Sequence, residues 1–118
     1  MNQFAIESLF LKAIEAGRRA GYNCAPTPMV ITSAGGVIME RVEGGVCGFA
    51  WVGGIKGNTS FGRWLLKEKL AITSYKGGLR LWISEFGQSM DRKMTMACEV
   101  ARVLNEHGVD CYPESQID

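Results

Sequence analysis

The sequence contains a single histidine, and none of its four cysteines are paired in C-x-x-C spacing. Zinc sites need three or four nitrogen or sulfur ligands at short spacings, so the sequence predicts no metal site and no other bound cofactor. Residues 1–7 show no basic start followed by an apolar run, so no secretory signal is predicted. We therefore expect reduced thiols and a cytoplasmic location.

The sequence also lacks an excess of either charge, since 13 Lys and Arg residues are balanced by 12 Asp and Glu residues and leave a formal charge of +1. No long-range field draws in a phosphate backbone, and bulk nucleic-acid binding is not expected. The longest uncharged run, residues 20–39, is broken by two prolines and by glycines, which excludes a membrane helix. The apolar share of 47% is average for globular proteins, and the length predicts one domain over residues 1–118.

Hydrophobic periodicity predicts an α+β fold with three helices and a mostly antiparallel sheet of about five strands, in the order α-β-β-β-α-β-β-α-β. Helices are predicted over residues 4–20, about 60–69 and about 90–107, the last one with Ser89 as its N-cap. Strands are predicted over 29–32, 37–42, 46–52, 70–74, 79–83 and 109–112, with turns at 33–36 and 43–45. Residues 113–118 are predicted to be a tail because Pro113 interrupts the last strand.

A glycine-rich loop is predicted between the third strand and the second helix. Amides at a helix start bind phosphate where glycines allow close approach, and Lys56 and Arg63 add positive charge. The candidate ligand-binding residues are Gly53, Gly54, Lys56, Gly57, Asn58, Thr59, Ser60 and Arg63. The spacing departs from G-x-x-x-x-G-K-[ST], since Asn58 follows Gly57. Both a phosphate- or nucleotide-binding loop and an ordinary glycine-rich connection stay open.

A cysteine-dependent enzyme is a second alternative, in which Cys47 is the nucleophile and His107 its base. Cys47 lies in a segment whose pattern predicts a buried strand. His107 precedes the glycine that ends the last helix, where a cation suits the helix dipole. Packing and capping thus explain both residues without catalysis. The sequence favours a non-enzymatic protein, and no residue is assigned a catalytic role.

Arg80 and Trp82 alternate with apolar residues in the predicted strand 79–83 and share its outer face. That face stays exposed unless a helix layer or a symmetric dimer covers it. Tryptophan and arginine are frequent anchors of binding surfaces, so the principal hypothesis is a small binding protein with a protein partner. The other large aromatic residues near these strands are predicted to pack in the core: Phe49, Trp51, Phe61 and Trp64.

Three short segments carry a resemblance. Residues 48–52, 61–65 and 111–118 read GFAWV, FGRWL and CYPESQID. Together they resemble small proteins encoded by bacteriophages and prophages. The resemblance implies an accessory protein that acts inside an infected bacterium on a host protein, and it carries over no catalytic residue.

Overall fold

The computed structural model describes residues 1–32, 38–42 and 45–118, with side chains at 1–28 and 45–118. The elements are α1 (Gln3–Asn23), β1 (Met29–Thr32), β2 (Ile38–Val42), β3 (Gly48–Ile55), α2 (Ser60–Lys67), β4 (Ile72–Thr73), β5 (Leu79–Trp82), α3 (Met90–Glu106) and β6 (Tyr112–Ile117). β1 pairs with β2, and the other strands form one antiparallel sheet in the order β4-β5-β3-β6. The α+β class is confirmed. This sheet has four strands where about five were predicted. The turn predicted at 33–36 and residues 43–44 of the turn predicted at 43–45 lie outside the described residues.

From β3 to β6 the chain follows a β-α-β-β-α-β order, the split β-α-β arrangement. The two helical crossovers leave β3 and β5 side by side in the centre of the sheet, with β4 and β6 at its edges. Trp51 lies opposite Trp82 across the β3–β5 pair and opposite Glu114 across the β3–β6 pair. Directly opposed residues point to the same face, so the topology gathers three distant side chains on one side of the sheet.

The other side of the sheet forms the hydrophobic core. α3 packs on β3 and β6, and α1 packs on α3. The sheet contributes Ala50, Val52, Leu79 and Leu81, α3 contributes Val100 and Leu104, and α2 contributes Phe61 and Leu65. None of the helices in the described ranges is both long and apolar enough to cross a membrane. The helices therefore cover one sheet face and leave the face with Trp51 and Trp82 without a helix in the described part of the chain.

The ends of the helices show which predictions from the local sequence were correct. Ser89 accepts a hydrogen bond from the Arg92 backbone N–H at 3.4 Å, which confirms the predicted N-cap of α3. α1 continues past the predicted end near Gly21, because the Arg92 guanidinium donates to the Gly21 and Tyr22 carbonyls at 2.9 and 2.8 Å. A cation at the last carbonyls stabilises a helix C-terminus, and this one comes from a residue about 70 positions away.

The prediction for the last strand was wrong. β6 covers Tyr112–Ile117, so the segment predicted to be a tail is instead an edge strand that pairs with β3. Proline lacks an amide hydrogen, but an edge strand has one side that needs no ladder partner, so Pro113 is tolerated there. This correction matters for the site because β6 brings Glu114 beside Trp51.

Candidate binding surface

The side of the sheet that the described helices leave uncovered carries a cluster of aromatic and charged side chains, termed the aromatic face. Its members are Phe49 and Trp51 on β3, Arg80 and Trp82 on β5, and Glu114 on β6. Phe49 and Trp82 are each 39% exposed, whereas Trp51 is only 5% exposed. Trp51 is therefore the centre of the face, and the other four side chains surround it.

Trp51 is held by three separate contacts. Its ring centroid lies 4.9 Å from that of Trp82, with an angle of 44° between the ring planes. The guanidinium carbon of Arg80 lies 4.7 Å from the Trp51 ring centroid, in cation–π geometry. The indole Nε1–H donates to Glu114 Oε1 at 3.0 Å. These contacts hold the rings and the two charged groups in one preorganised arrangement.

The sequence-based assignment of these residues is partly corrected. Arg80 and Trp82 do share a face, and Trp82 is exposed because the described helices lie on the other side of the sheet. The prediction that Phe49 packs in the core was wrong, since its side chain is 39% exposed, whereas Trp51 is buried as predicted. Trp51 is buried by the side chains of the aromatic face, and the Phe49 ring meets the Trp82 ring edge to face at 6.1 Å.

The glycine-rich loop is shorter than predicted. β3 continues to Ile55, so Gly53 and Gly54 belong to the strand and only residues 56–59 connect it to α2. Gly54 has a φ of +75° where the β3–β5 register shifts between Val52 and Ile55. Glycine takes this left-handed conformation without a steric penalty, so this glycine serves an irregularity of the strand rather than a phosphate loop.

The start of α2 uses its polar groups within the loop. Thr59 Oγ1 donates to the Lys56 carbonyl at 2.7 Å and accepts from the Gly62 N–H at 3.1 Å. The Arg63 guanidinium donates to the Asn58 carbonyl at 3.0 Å. Arg63, one of the two side chains predicted to attract a phosphate, is thus engaged with the loop's own backbone.

A small cavity lies beside this loop. Its volume is about 200 Å³, and its lining includes Lys56, Thr59, Ser60 and Asp110. Small-molecule sites usually measure about 300–1,000 Å³. The Asp110 carboxylate also opposes an anionic ligand. The geometry therefore gives the phosphate-ligand alternative little support.

Cys47 and His107 lie at opposite ends of α3. Cys47 forms an isolated β-bridge with Ser89, the N-cap, whereas His107 is the C-cap and its Nδ1 lies 2.9 Å from the Val103 carbonyl oxygen. A helix of 17 residues spans about 25 Å at about 1.5 Å per residue. Cys47 is exposed and precedes β3, so its predicted place in a buried strand was wrong. The structure does not bring this thiol and imidazole together, and a nucleophile–base pair needs hydrogen-bond reach.

Lys93 on α3 is a buried cation that was not predicted from the sequence. Its side chain is 6% exposed, and its Nζ donates to the Ile83 carbonyl at 3.0 Å. Burial lowers the pKa of the Lys93 amine from its ordinary value. The signal was present in the sequence, because Lys93 lies on the apolar stripe between Met90 and Ala97 at helical spacing. Its hydrogen bond ties α3 to the residue that follows Trp82.

Replacing Lys93 by methionine should remove a pH dependence of the folding stability. The native pKa lies below the ordinary value of 10.5, so between these two values the unfolded chain binds more protons than the native protein. The unfolding free energy of the wild type should therefore rise relative to that of Lys93→Met as the pH increases towards 10.5. Urea denaturation from about pH 7 to about pH 10 measures this difference. A constant difference would contradict the burial of the amine.

Among the described side chains, the aromatic face is the arrangement that combines exposed anchors with a fixed geometry. No group of three or more His, Cys, Asp or Glu side chains in that part of the chain is placed to hold a metal ion. Cys111 is buried, and burial together with the negative charge of Asp110 raises the pKa of its thiol to about 11.

The chain was compared with protein-family models, curated proteins and solved structures, and none of them matches it.

Proposed function

We propose that the protein is a small non-enzymatic binding protein and that the aromatic face is its recognition surface. The observation that carries this proposal is the exposure of Phe49 and Trp82 around the buried Trp51, on a sheet face that the described helices do not cover. Tryptophan and arginine side chains contribute most of the binding energy in many interfaces. Side chains already held in place lose little conformational entropy when a partner binds.

The composition of this face supports binding rather than catalysis. Its ionisable members are Arg80 and Glu114, and Glu114 Oε1 already accepts the Trp51 hydrogen bond. General acid–base or nucleophilic catalysis needs a second group within hydrogen-bond reach of the reacting atom. The side chains described on this face supply no such pair.

The partner proposed from the sequence is a protein in the bacterial cytoplasm, and the resemblance to phage-encoded proteins extends this to a host protein. The alternative proposal, a phosphate or nucleotide ligand at residues 53–60 with Arg63, has weaker support. Its cavity is small and contains Asp110, and Arg63 is engaged by the Asn58 carbonyl. A ligand in that cavity would require Arg63 to leave the Asn58 carbonyl. The aromatic face, by contrast, can contact a partner without a rearrangement of its side chains.

Replacing both Arg80 and Trp82 by alanine should abolish partner binding without unfolding the protein. Truncating one anchor of an interface costs about 2 kcal/mol or more, which is about a 30-fold loss of affinity. The two effects need not add, because both side chains contact Trp51. The measurement is native mass spectrometry of tagged protein drawn gently from bacterial lysate, which should show bound species on the wild type and none on the double variant.

The control is Tyr22→Ala, which removes an exposed aromatic ring from α1 and leaves the aromatic face intact. This variant should retain every species that the wild type binds. Circular dichroism of all three proteins should be the same, which shows that the double variant is folded. Partner binding that survives the double change would place the recognition surface elsewhere.

A further inference from the structure

We infer that the aromatic face binds single-stranded nucleic acid. The inference rests on the proposed function, since it keeps the aromatic face as the recognition surface, and it assigns to that surface a nucleic acid in place of the protein partner expected from the sequence. It starts from the strand order, which puts the rings on the two central strands β3 and β5 and polar side chains on the edge strand β6. A binding sheet of this kind presents planar groups in its middle and hydrogen-bonding groups along one side.

The planar groups of the face are suited to stacking. Phe49 and Trp82 are exposed, and the Arg80 guanidinium lies over the ring of Trp51. Unpaired bases stack on aromatic rings and on guanidinium planes, and each contact tolerates any base because every base has a π face. In a duplex the bases are stacked on one another, so this surface selects single strands.

The polar groups lie where the edges of stacked bases would reach. Glu114 is directly opposite Trp51, and Gln116 is directly opposite Phe49. A carboxylate accepts hydrogen bonds, an amide both donates and accepts, and the Arg80 guanidinium donates. Glutamate is usually depleted from the core of a protein interface, whereas base edges carry the donors and acceptors that these groups match. The mixture therefore favours a nucleic acid over a protein.

The charge near the rings fits a ligand held by few phosphates. Arg80 is the cation among the five members of the aromatic face, where the Glu114 carboxylate offsets its charge, and Lys69 lines the cleft that Trp82 also lines. The other cation of that cleft, Arg18, is paired with Glu85 at 2.6 Å. Two phosphate contacts to a single strand give a salt slope of about −1.4 in log affinity against log salt concentration. Such binding needs no large net charge, which is compatible with the formal charge of +1.

Fluorescence anisotropy with labelled oligonucleotides tests the inference. The probes are a mixed-sequence RNA and a DNA of about ten nucleotides, within the range that a small domain covers, and the corresponding duplexes. Wild-type protein should bind the single strands saturably and the duplexes at least about tenfold more weakly. Trp82→Ala should weaken single-strand binding by about tenfold or more, whereas Trp82→Phe should retain most of it. Tyr22→Ala should change nothing, and Lys69→Ala should make the salt slope shallower by about 0.7.

Two results would overturn the inference, and they differ in what they mean for the proposed function. No saturable binding of RNA or DNA single strands up to about 100 µM, a range that reveals weak complexes, rejects nucleic acid as the occupant. If a protein from lysate is then lost from the Arg80→Ala/Trp82→Ala variant, the proposed function stands with a protein partner. Single-strand binding that is unchanged in folded Trp82→Ala and in the double variant rejects the aromatic face itself.

Discussion

The Trp51→Ala variant should lose about 4 kcal/mol of unfolding free energy, one of the largest effects expected in this chain. Trp51 is 5% exposed, and the substitution removes its packing against Trp82, its cation–π contact with Arg80 and its hydrogen bond to Glu114. The neighbours of a large deleted side chain close the space only partly, which adds a cavity cost to the lost burial. Urea denaturation measures the loss as a lower midpoint at unchanged slope.

Two matched variants separate the contributions of Trp51. Trp51→Phe keeps an aromatic ring but removes the Nε1–H donor, and it should cost about 1 kcal/mol. Trp82→Ala truncates a ring that is 39% exposed, so it should cost clearly less stability than Trp51→Ala while it weakens binding more directly. Equal destabilisation by Trp51→Ala and Trp82→Ala would show that Trp51 is not the buried centre of the aromatic face.

The aromatic face could be predicted only in part from the sequence. Alternation along a short strand is enough to put Arg80 and Trp82 on one side. Trp51 lies in a strand that is apolar on both sides, and such a pattern does not tell which side the helices cover. Its bond to Glu114 joins residues 63 positions apart, and it depends on the register between β3 and β6. Local spacing contains no information about that register.

The difference between local sequence patterns and long-range pairing also explains which parts of the fold could be predicted. The long amphipathic helices α1 and α3 follow from their period, and the N-cap of α3 follows from Ser89. Pro113 predicts the end of a strand because proline usually interrupts one, and only the sheet order reveals that β6 is an edge strand. Gly53 and Gly54 predict a loop because glycine is frequent in turns, whereas both lie within β3. In each of these wrong predictions the local structure depends on a strand that is distant in sequence.

The Gly62→Ala variant should be destabilised by at least about 2 kcal/mol, through strain in the connection that follows β3. A Cβ atom at Gly62 would lie 2.1 Å from the Lys56 carbonyl oxygen and 3.0 Å from the Gly57 Cα. Both are backbone atoms, so neither can turn away as the end of a side chain would. Alanine gains only about 1 kcal/mol over glycine within a helix, which does not offset the clash. Urea denaturation measures the net loss.

Gly57→Ala is the control in the same connection. A Cβ atom there would meet Leu79 Cδ2 at 3.7 Å, an ordinary contact, so its stability should stay within about 0.5 kcal/mol of the wild type. Equal stability of the two variants would contradict the close approach of α2 to residue 56. The atoms nearest to a Cβ at Gly62 belong to residues 56 and 57, and none belongs to the aromatic face. Under conditions where Gly62→Ala remains folded it should therefore bind the partner as the wild type does, and loss of binding in folded protein would reveal that α2 and the aromatic face are coupled.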